Sequence, residues 1–97
     1  MAMPTQPTAN PIANPLAVLR EEFDDWAVLF NPDTAGAVGL NPVGVAVWKQ
    51  LDGHHDLPAI VAEIQARFTD VPGTAEDEIA AFIEQLAQQG FVGYAVA

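Results

Sequence analysis

The junction between residues 37–40 and residues 42–51 constrains the fold of this chain more than any other segment. Asn41 is a favourable helix N-cap, and Pro42 follows it at the first helical position, where a missing N–H costs little. Three apolar residues then recur at helical spacing: Val47, Trp48 and Leu51. The sequence therefore predicts a strand that passes into a capped helix with almost no loop between them.

The residues on the N-terminal side of this junction predict a β-hairpin. Residues 26–30 have the alternating pattern of large apolar side chains that is typical of a strand. Residues 31–36 are rich in turn formers, and residues 37–40 are expected to return as the second strand. A separate short strand is expected within residues 16–22, where apolar residues are followed by charged ones.

Three helices are predicted after the hairpin. The first covers residues 42–51, and the second begins near Asp56, which can serve as its N-cap. The third covers residues 74–89 and begins with a pair that resembles a capping box, Thr74 and Asp77. Its apolar stripe consists of Ile79, Phe82, Ile83 and Leu86.

The order of these elements predicts the fold class. A strand, a hairpin and three helices are followed by residues 91–96, which form a terminal strand or cover the core. This order indicates an α+β domain resembling a winged helix-turn-helix, and 97 residues suffice for one domain. Residues 1–15 hold four of the eight prolines and no charged residue, which predicts a disordered proline-rich tail. The domain is therefore expected over residues 16–97.

The composition argues against several kinds of partner. Thirteen acidic residues against three basic ones give a net charge of −10, which would repel a phosphate backbone, so no nucleic acid partner is expected. No apolar run approaches the roughly 20 residues needed to cross a bilayer, so no membrane partner is expected. The absence of cysteine fits a reducing compartment, and we expect a cytoplasmic protein.

No residue pattern in the chain predicts catalysis. The chain has no serine, which excludes a Ser-His-Asp arrangement. His54 and His55 lie between Asp52 and Asp56, but adjacent side chains point apart, and a polar turn between helices explains them better than a metal site. The acidic clusters are explained by solvated charge. We therefore expect a protein that is not an enzyme, with no catalytic residue, no metal site and no cofactor.

The strand over residues 37–40 offers a way to bind a peptide. Ala37 and Gly39 are small, and a glycine inside a strand often marks the close approach of another backbone. If this strand lies at a sheet edge, it can accept a guest strand, with the third helix as the wall of a groove. An ordinary edge strand packed under a helix explains the same residues, and the apolar stripe of the third helix is equally compatible with a core.

Several motifs along the chain together carry a family resemblance. Leu40-Asn41-Pro42 is followed by Val47-Trp48-Lys49-Gln50-Leu51-Asp52-Gly53, and this pairing is the most specific part of the resemblance. The further matching segments are residues 19–22, 27–34, 79–86 and 90–92. Together these segments resemble the PqqD family, and the resemblance covers about residues 16–93.

The resemblance implies a RiPP recognition element, a peptide chaperone of natural product biosynthesis. Such domains have an N-terminal three-stranded antiparallel sheet packed on three helices. They bind the leader of a ribosomally synthesised precursor peptide as an added strand between the third strand and the third helix, and present it to a modifying enzyme, often a radical SAM enzyme. Carried onto this chain, the implied peptide-binding residues are Ala37, Val38, Gly39, Leu40, Ile79, Phe82, Ile83 and Leu86.

Two other functions are alternatives to a peptide chaperone. A winged-helix transcription regulator needs a basic recognition helix, whereas the third predicted helix has no Lys or Arg and four acidic residues: Glu76, Asp77, Glu78 and Glu84. A small metal-dependent enzyme would use His54 and His55 as ligands. The chaperone is the leading hypothesis, either as a monomer or as a dimer formed through the exposed strand.

Overall fold

The structure is a computed structural model that describes the backbone of residues 9–96 and the side chains of residues 10–94. It contains five strands and three helices within that range. The strands are β1 (Ala9–Ala13), β2 (Val18–Glu21), β3 (Ala27–Asn31), β4 (Gly36–Leu40) and β5 (Val92–Val96). The helices are α1 (Pro42–Trp48), α2 (Leu57–Arg67) and α3 (Ala75–Gln88).

Strands β2, β3 and β4 form a three-stranded antiparallel sheet in that order, so β4 lies at an edge. Residues of β3 alternate between buried and exposed, which gives the sheet one face toward the helices and one outer face. The register places Leu29 between Leu19 and Val38, and all three point toward the helices. The predicted hairpin and the α+β fold, a three-stranded antiparallel sheet with three helices, are confirmed.

The prediction of a disordered tail over residues 1–15 is wrong for residues 9–13. These residues form β1, which pairs with β5 in a second, two-stranded antiparallel sheet. Backbone bonds also tie β1 to the end of the first helical region: Ala13 N–H donates to Leu51 O (2.7 Å), and Gly53 N–H donates to Pro11 O (3.1 Å). The folded part therefore begins before residue 16, and residues 1–8 lie outside the described residues.

The core lies between the inner face of the three-stranded sheet and the helices. Leu29 and Leu40 contribute from the sheet, and Phe91 closes the core after α3. The helices contribute Val45, Ala46, Val47, Ile60, Val61, Ile64, Ala75, Ile79, Ile83 and Leu86. Within residues 9–96, no helix is both long and apolar enough to cross a bilayer.

The junction between β4 and α1 has the predicted cap. The Asn41 side-chain oxygen accepts a hydrogen bond from the Gly44 N–H at 2.7 Å, and Pro42 occupies the first turn. The helix ends at Trp48, earlier than the predicted Leu51, because the N–H groups of Gln50 and Leu51 bond three residues back instead of four. A single turn that is tighter than an α-helix therefore completes the predicted segment up to Leu51.

The start of α3 differs from the predicted capping box. Thr74 is the N-cap residue, but its side chain makes no cap hydrogen bond to the backbone. Its hydroxyl instead donates to the Glu78 carboxylate at 2.7 Å. The carboxylates in the first turn, including Asp77, still lie at the positive end of the helix dipole.

Asn31 joins the hairpin to the end of α3. Its buried side chain donates to Gly90 O at 3.3 Å and accepts from the Asp33 N–H at 3.0 Å. Gly90 has a φ of +84°, and a Cβ there would lie 3.1 Å from the Asn31 amide nitrogen. Glycine is therefore required at this contact for two reasons, the left-handed backbone and the close approach.

The segment with two histidines is a polar turn between α1 and α2. The Asp52 carboxylate accepts from the His54 backbone N–H and lies 2.9 Å from both that nitrogen and the His55 Nδ1. These bonds lower the pKa of Asp52 below its ordinary value, with the His55 side chain as the largest cause. In the described part of the chain, no group of three His, Cys, Asp or Glu side chains is arranged to hold a metal ion.

The Asn41 cap can be tested by its effect on stability. Replacing Asn41 with Ala removes the acceptor for the Gly44 N–H, and we expect the free energy of unfolding to fall by about 1 kcal/mol in urea titrations. Replacing Asn41 with Asp keeps an acceptor oxygen and should leave the stability nearly unchanged. An equal loss in both variants would show that the hydrogen bond is not the source of the stabilisation.

The Asp52 turn predicts a specific pH dependence. An NMR titration should give Asp52 a pKa below 3.8, its ordinary value. The hydrogen bonds to the ionised carboxylate therefore stabilise the fold above pH 3.8 and are lost as the pH falls through the lowered pKa. Replacing His55 with Ala should raise the pKa of Asp52. Replacing His54 with Ala is the matched control, because only its backbone N–H contacts Asp52; equal shifts in both variants would contradict the assignment.

Candidate functional site

A cavity of about 550 Å³ lies between the free edge of β4, the first turns of α1 and the side of α3. We call it the β4–α3 groove. Its walls are Val38, Gly39 and Leu40 from β4, Val43, Gly44 and Val47 from α1, and Ala75, Glu78, Ile79, Phe82 and Gln85 from α3. The remaining lining residues are Asn41, Ile64 and residues 68–72. The groove therefore combines an open strand edge with a mostly apolar surface.

The β4 side of the groove follows from the period of a strand. Val38 is half-buried and Leu40 is buried, so both point from the inner face of the sheet. Ala37 and Gly39 are exposed and belong to the outer face. Because β4 is an edge strand, backbone groups of alternate residues also point away from β3. These unpaired groups are what a guest strand would need.

The α3 side of the groove is one face of that helix. Ala75, Glu78, Ile79, Phe82 and Gln85 recur at intervals of three and four residues, which places them along one stripe. Phe82 is only partly buried, so its ring is available at the surface of the groove. The stripe runs beside β4 and gives the groove an apolar wall opposite the strand edge.

The structure brings together five of the eight residues predicted to bind a peptide. Val38, Gly39, Leu40, Ile79 and Phe82 line the groove. The other three lie elsewhere: Ala37 is on the outer face of the sheet, while Ile83 and Leu86 are buried in the core. The helix therefore carries two adjacent apolar faces, and the sequence pattern alone did not separate them.

The contributions of α1 and of the loop after α2, residues 68–72, were not predicted. Gly44 is buried in α1, and a Cβ at this position would lie 3.4 Å from the Phe82 ring and 3.3 Å from the Asn41 side-chain oxygen. The absence of a side chain at Gly44 thus lets α1 and Phe82 meet at the end of the groove. The sequence signal that could have indicated this wall is Val43, an apolar residue directly after Asn41 and Pro42. In the structure Val43 is exposed and lines the groove.

The groove carries negative charge only. Asp70 and Glu78 line it, whereas none of the three Lys and Arg residues, all within the described range, does so. Arg20 lies 3.5 Å from Glu22 and Lys49 lies 3.1 Å from Glu21, both outside the groove. A phosphate backbone would be repelled by this surface, which counts against a recognition helix for nucleic acid.

The shifted ionisable groups lie away from the groove. Burial raises the pKa of the Tyr94 phenol on β5, with the Glu84 carboxylate as a second cause. Asp52, whose pKa is lowered, lies in the turn between α1 and α2, and neither residue lines the groove. The arrangement of the groove suits an extended apolar segment, since it offers a strand edge and side-chain pockets.

Comparison with known proteins places this geometry in a family. Residues 27–92, about two thirds of the chain, match the profile described as Coenzyme PQQ synthesis protein D (PqqD). The chain is 44% identical over 64 residues to a PqqA binding protein of Pseudomonas aeruginosa (strain UCBPP-PA14), an alignment that covers 66% of each chain, just under two thirds of that relative. It is 33% identical over 72 residues to a PqqA binding protein of Kluyvera intermedia, covering 74% of this chain and 75% of the relative.

Solved structures share the fold. The structure of TbiB1 in complex with the TbiA(beta) leader peptide superposes with a TM-score of 0.71 at 28% identity, covering 87% of this chain and 98% of that one. The heterocyclase TruD contains a region of the same fold, with a TM-score of 0.62 at 16% identity, over 90% of this chain and 12% of that one. By its profile match and its relatives, the chain belongs to the PqqD family.

Proposed function

We propose that this protein binds the leader segment of a ribosomally synthesised precursor peptide as a strand added to the free edge of β4. The observation that carries the proposal is the position of that edge, which runs along an apolar groove walled by α3. Added strands are a recurrent mode of peptide recognition, in which backbone bonds give general affinity and pockets for alternate side chains give selectivity.

The two sides of the groove have different tasks in this mode. Unpaired backbone groups of β4 bond to the leader backbone and hold it extended. Alternate leader side chains then point inward between Val38 and the α3 stripe, where Ile79 and Phe82 offer apolar contacts. Burial of an apolar leader side chain there would contribute roughly 25 cal/mol per Å² of apolar area removed from water, and the entropic cost of association offsets part of this gain. Ile83 and Leu86 act indirectly, by fixing α3 from the core side.

The comparisons support this proposal. The Pseudomonas aeruginosa and Kluyvera relatives are named for binding PqqA, and TbiB1 was solved with a leader peptide on the same fold. The groove of this chain is built from residues inside the segment that matches the family profile. Similarity and geometry therefore favour the same class of ligand, a leader peptide.

The protein acts in this proposal as a chaperone that is not itself an enzyme. Its groove holds two carboxylates, Asp70 and Glu78, and the groups with shifted pKa lie elsewhere. The bound leader would be presented to a separate modifying enzyme, which we propose is a radical SAM enzyme in the cytoplasm. No feature of the described residues favours the transcription regulator, since α3 carries acidic residues in its first turn.

Truncation of the groove aromatic tests the proposal. We expect replacement of Phe82 with Ala to weaken binding of the Pseudomonas aeruginosa PqqA peptide by about tenfold, because an aromatic anchor of the interface is lost. The measurement is isothermal titration calorimetry, repeated with the TbiA(beta) leader peptide. Phe23, which is 79% exposed and lies outside the groove, provides the matched Phe-to-Ala control. Equal affinities of the two variants, or no binding of either peptide to the unaltered protein, would contradict the proposal.

Strand addition itself has a separate signature in hydrogen exchange. Amide protons of alternate β4 residues that point away from β3 should exchange more slowly when the PqqA peptide is bound, because they become hydrogen-bonded. Amide protons of β5, which belongs to the other sheet, serve as the internal reference and should not change. Protection confined to α3, with none along β4, would show that the peptide binds without joining the sheet.

A further inference from the structure

The outer face of the three-stranded sheet is unusually apolar for a surface exposed to solvent. Val18, Val28 and Phe30 point outward from β2 and β3 and are 53%, 39% and 41% exposed. Trp26, immediately before β3, is 53% exposed. The register places Val18 directly opposite Phe30, so these side chains form a continuous apolar surface.

Gly39 leaves a gap at the β4 side of this surface. The register forms one row across the outer face, Arg20 on β2, Val28 on β3 and Gly39 on β4. A Cβ at Gly39 would have no atom within 4 Å, and its backbone does not have the positive φ that would favour glycine. Glycine weakens a strand interior, yet neither close packing nor backbone conformation requires it at this position.

We propose that Gly39 is a specificity-determining position that receives an aromatic side chain of the bound leader. This inference rests on the proposed function, because it concerns the outward-pointing side chains of the same added strand. The leader residue directly opposite Gly39 must point to the outer face, since paired residues of neighbouring strands share a face. Its side chain would lie across the bare Gly39 backbone and contact Val28 beyond it.

The dimensions of a sheet make this contact feasible. Neighbouring strands are about 4.8 Å apart, so the leader backbone would lie roughly 10 Å from that of Val28. A side chain at Gly39 would occupy the space between them, whereas glycine leaves it open to a ring as large as that of Tyr, Phe or Trp. Aromatic residues placed beside glycines in sheets cover them in this way and recover strand stability. The inferred ligand class is a leader with apolar residues facing the groove and an aromatic residue on the opposite face.

The test is a selection from a phage-displayed random peptide library, followed by affinity measurements on one selected peptide. The unaltered protein should enrich peptides in which one aromatic residue is directly preceded and directly followed by an apolar residue. Changing that aromatic residue to alanine should weaken binding about threefold to tenfold, the range expected for an aromatic cross-strand contact. In a Gly39→Gln variant, a polar side chain fills the gap. The selected peptide and its alanine version should then bind with about equal affinity.

Two further variants make the result specific. Val28→Thr keeps a β-branched residue but makes the far side of the row more polar, and it should reduce the aromatic preference without altering the groove. Gly93→Gln is the matched control, because Gly93 lies in β5 and a Cβ there also has no atom within 4 Å. Circular dichroism and urea titration establish that each variant is folded.

The possible outcomes separate this inference from the proposed function. Peptides that bind and depend on Phe82, but show no aromatic preference or keep it in Gly39→Gln, would overturn the role of Gly39 and leave the groove intact. Loss of the preference in Gly39→Gln and its retention in Gly93→Gln would support it. A library from which the unaltered protein selects no peptide would overturn the proposed function and this inference with it.

Discussion

The short junction between β4 and α1 is the constraint on which the groove depends. Only Asn41 separates the two elements, and its side chain caps the helix by accepting from the Gly44 N–H. The first turn of α1 must therefore stand at the end of the β4 edge, where Gly44 leaves space for the Phe82 ring. At the other end of the hairpin strands, the bond from Asn31 to Gly90 ties the hairpin to the second residue after α3. The sheet is thus joined to α1 at one end of the hairpin strands and to the segment after α3 at the other.

A single edge strand gives this protein two different surfaces. Because successive residues of a strand point to opposite faces, the side chains of Val38 and Leu40 face the groove, while Ala37 and a side chain at position 39 would face the outer apolar surface. The backbone of Gly39 still lines the groove. An added strand would extend both faces at once. In the proposed mode, recognition by this protein would then draw on leader side chains at consecutive positions, through the small residues of β4 as well as the large ones of α3. The excess of negative charge, including Asp70 and Glu78 at the groove, disfavours nucleic acid at the same surface.

Local patterns predicted most elements because their causes are local. Caps and turn formers marked the hairpin and the start of α2, where the Asp56 side chain accepts from the Ala59 N–H at 2.9 Å. Strand β1 was missed because its proline-rich composition resembles a tail, and what orders it is pairing with β5, about 80 residues later in the chain. The capping hydrogen bond predicted for the Thr74 side chain does not form, because its hydroxyl donates instead to the Glu78 carboxylate one turn along the helix.

The sequence by itself determined the hairpin, the three helices and the capped junction, since hydrogen bonding and side-chain spacing within a few residues specify them. It also indicated β4 and α3 as the two sides of a site. Only the tertiary structure decided which face of α3 lines that site: Phe82 and the largely buried Ile79 border the groove, whereas Ile83 and Leu86 are enclosed by the core. The open space at Gly39 is likewise a property of the assembled sheet. No atom lies within 4 Å of a Cβ built there, and the pairing of Gly39 with Val28 is set by a register that no local pattern specifies.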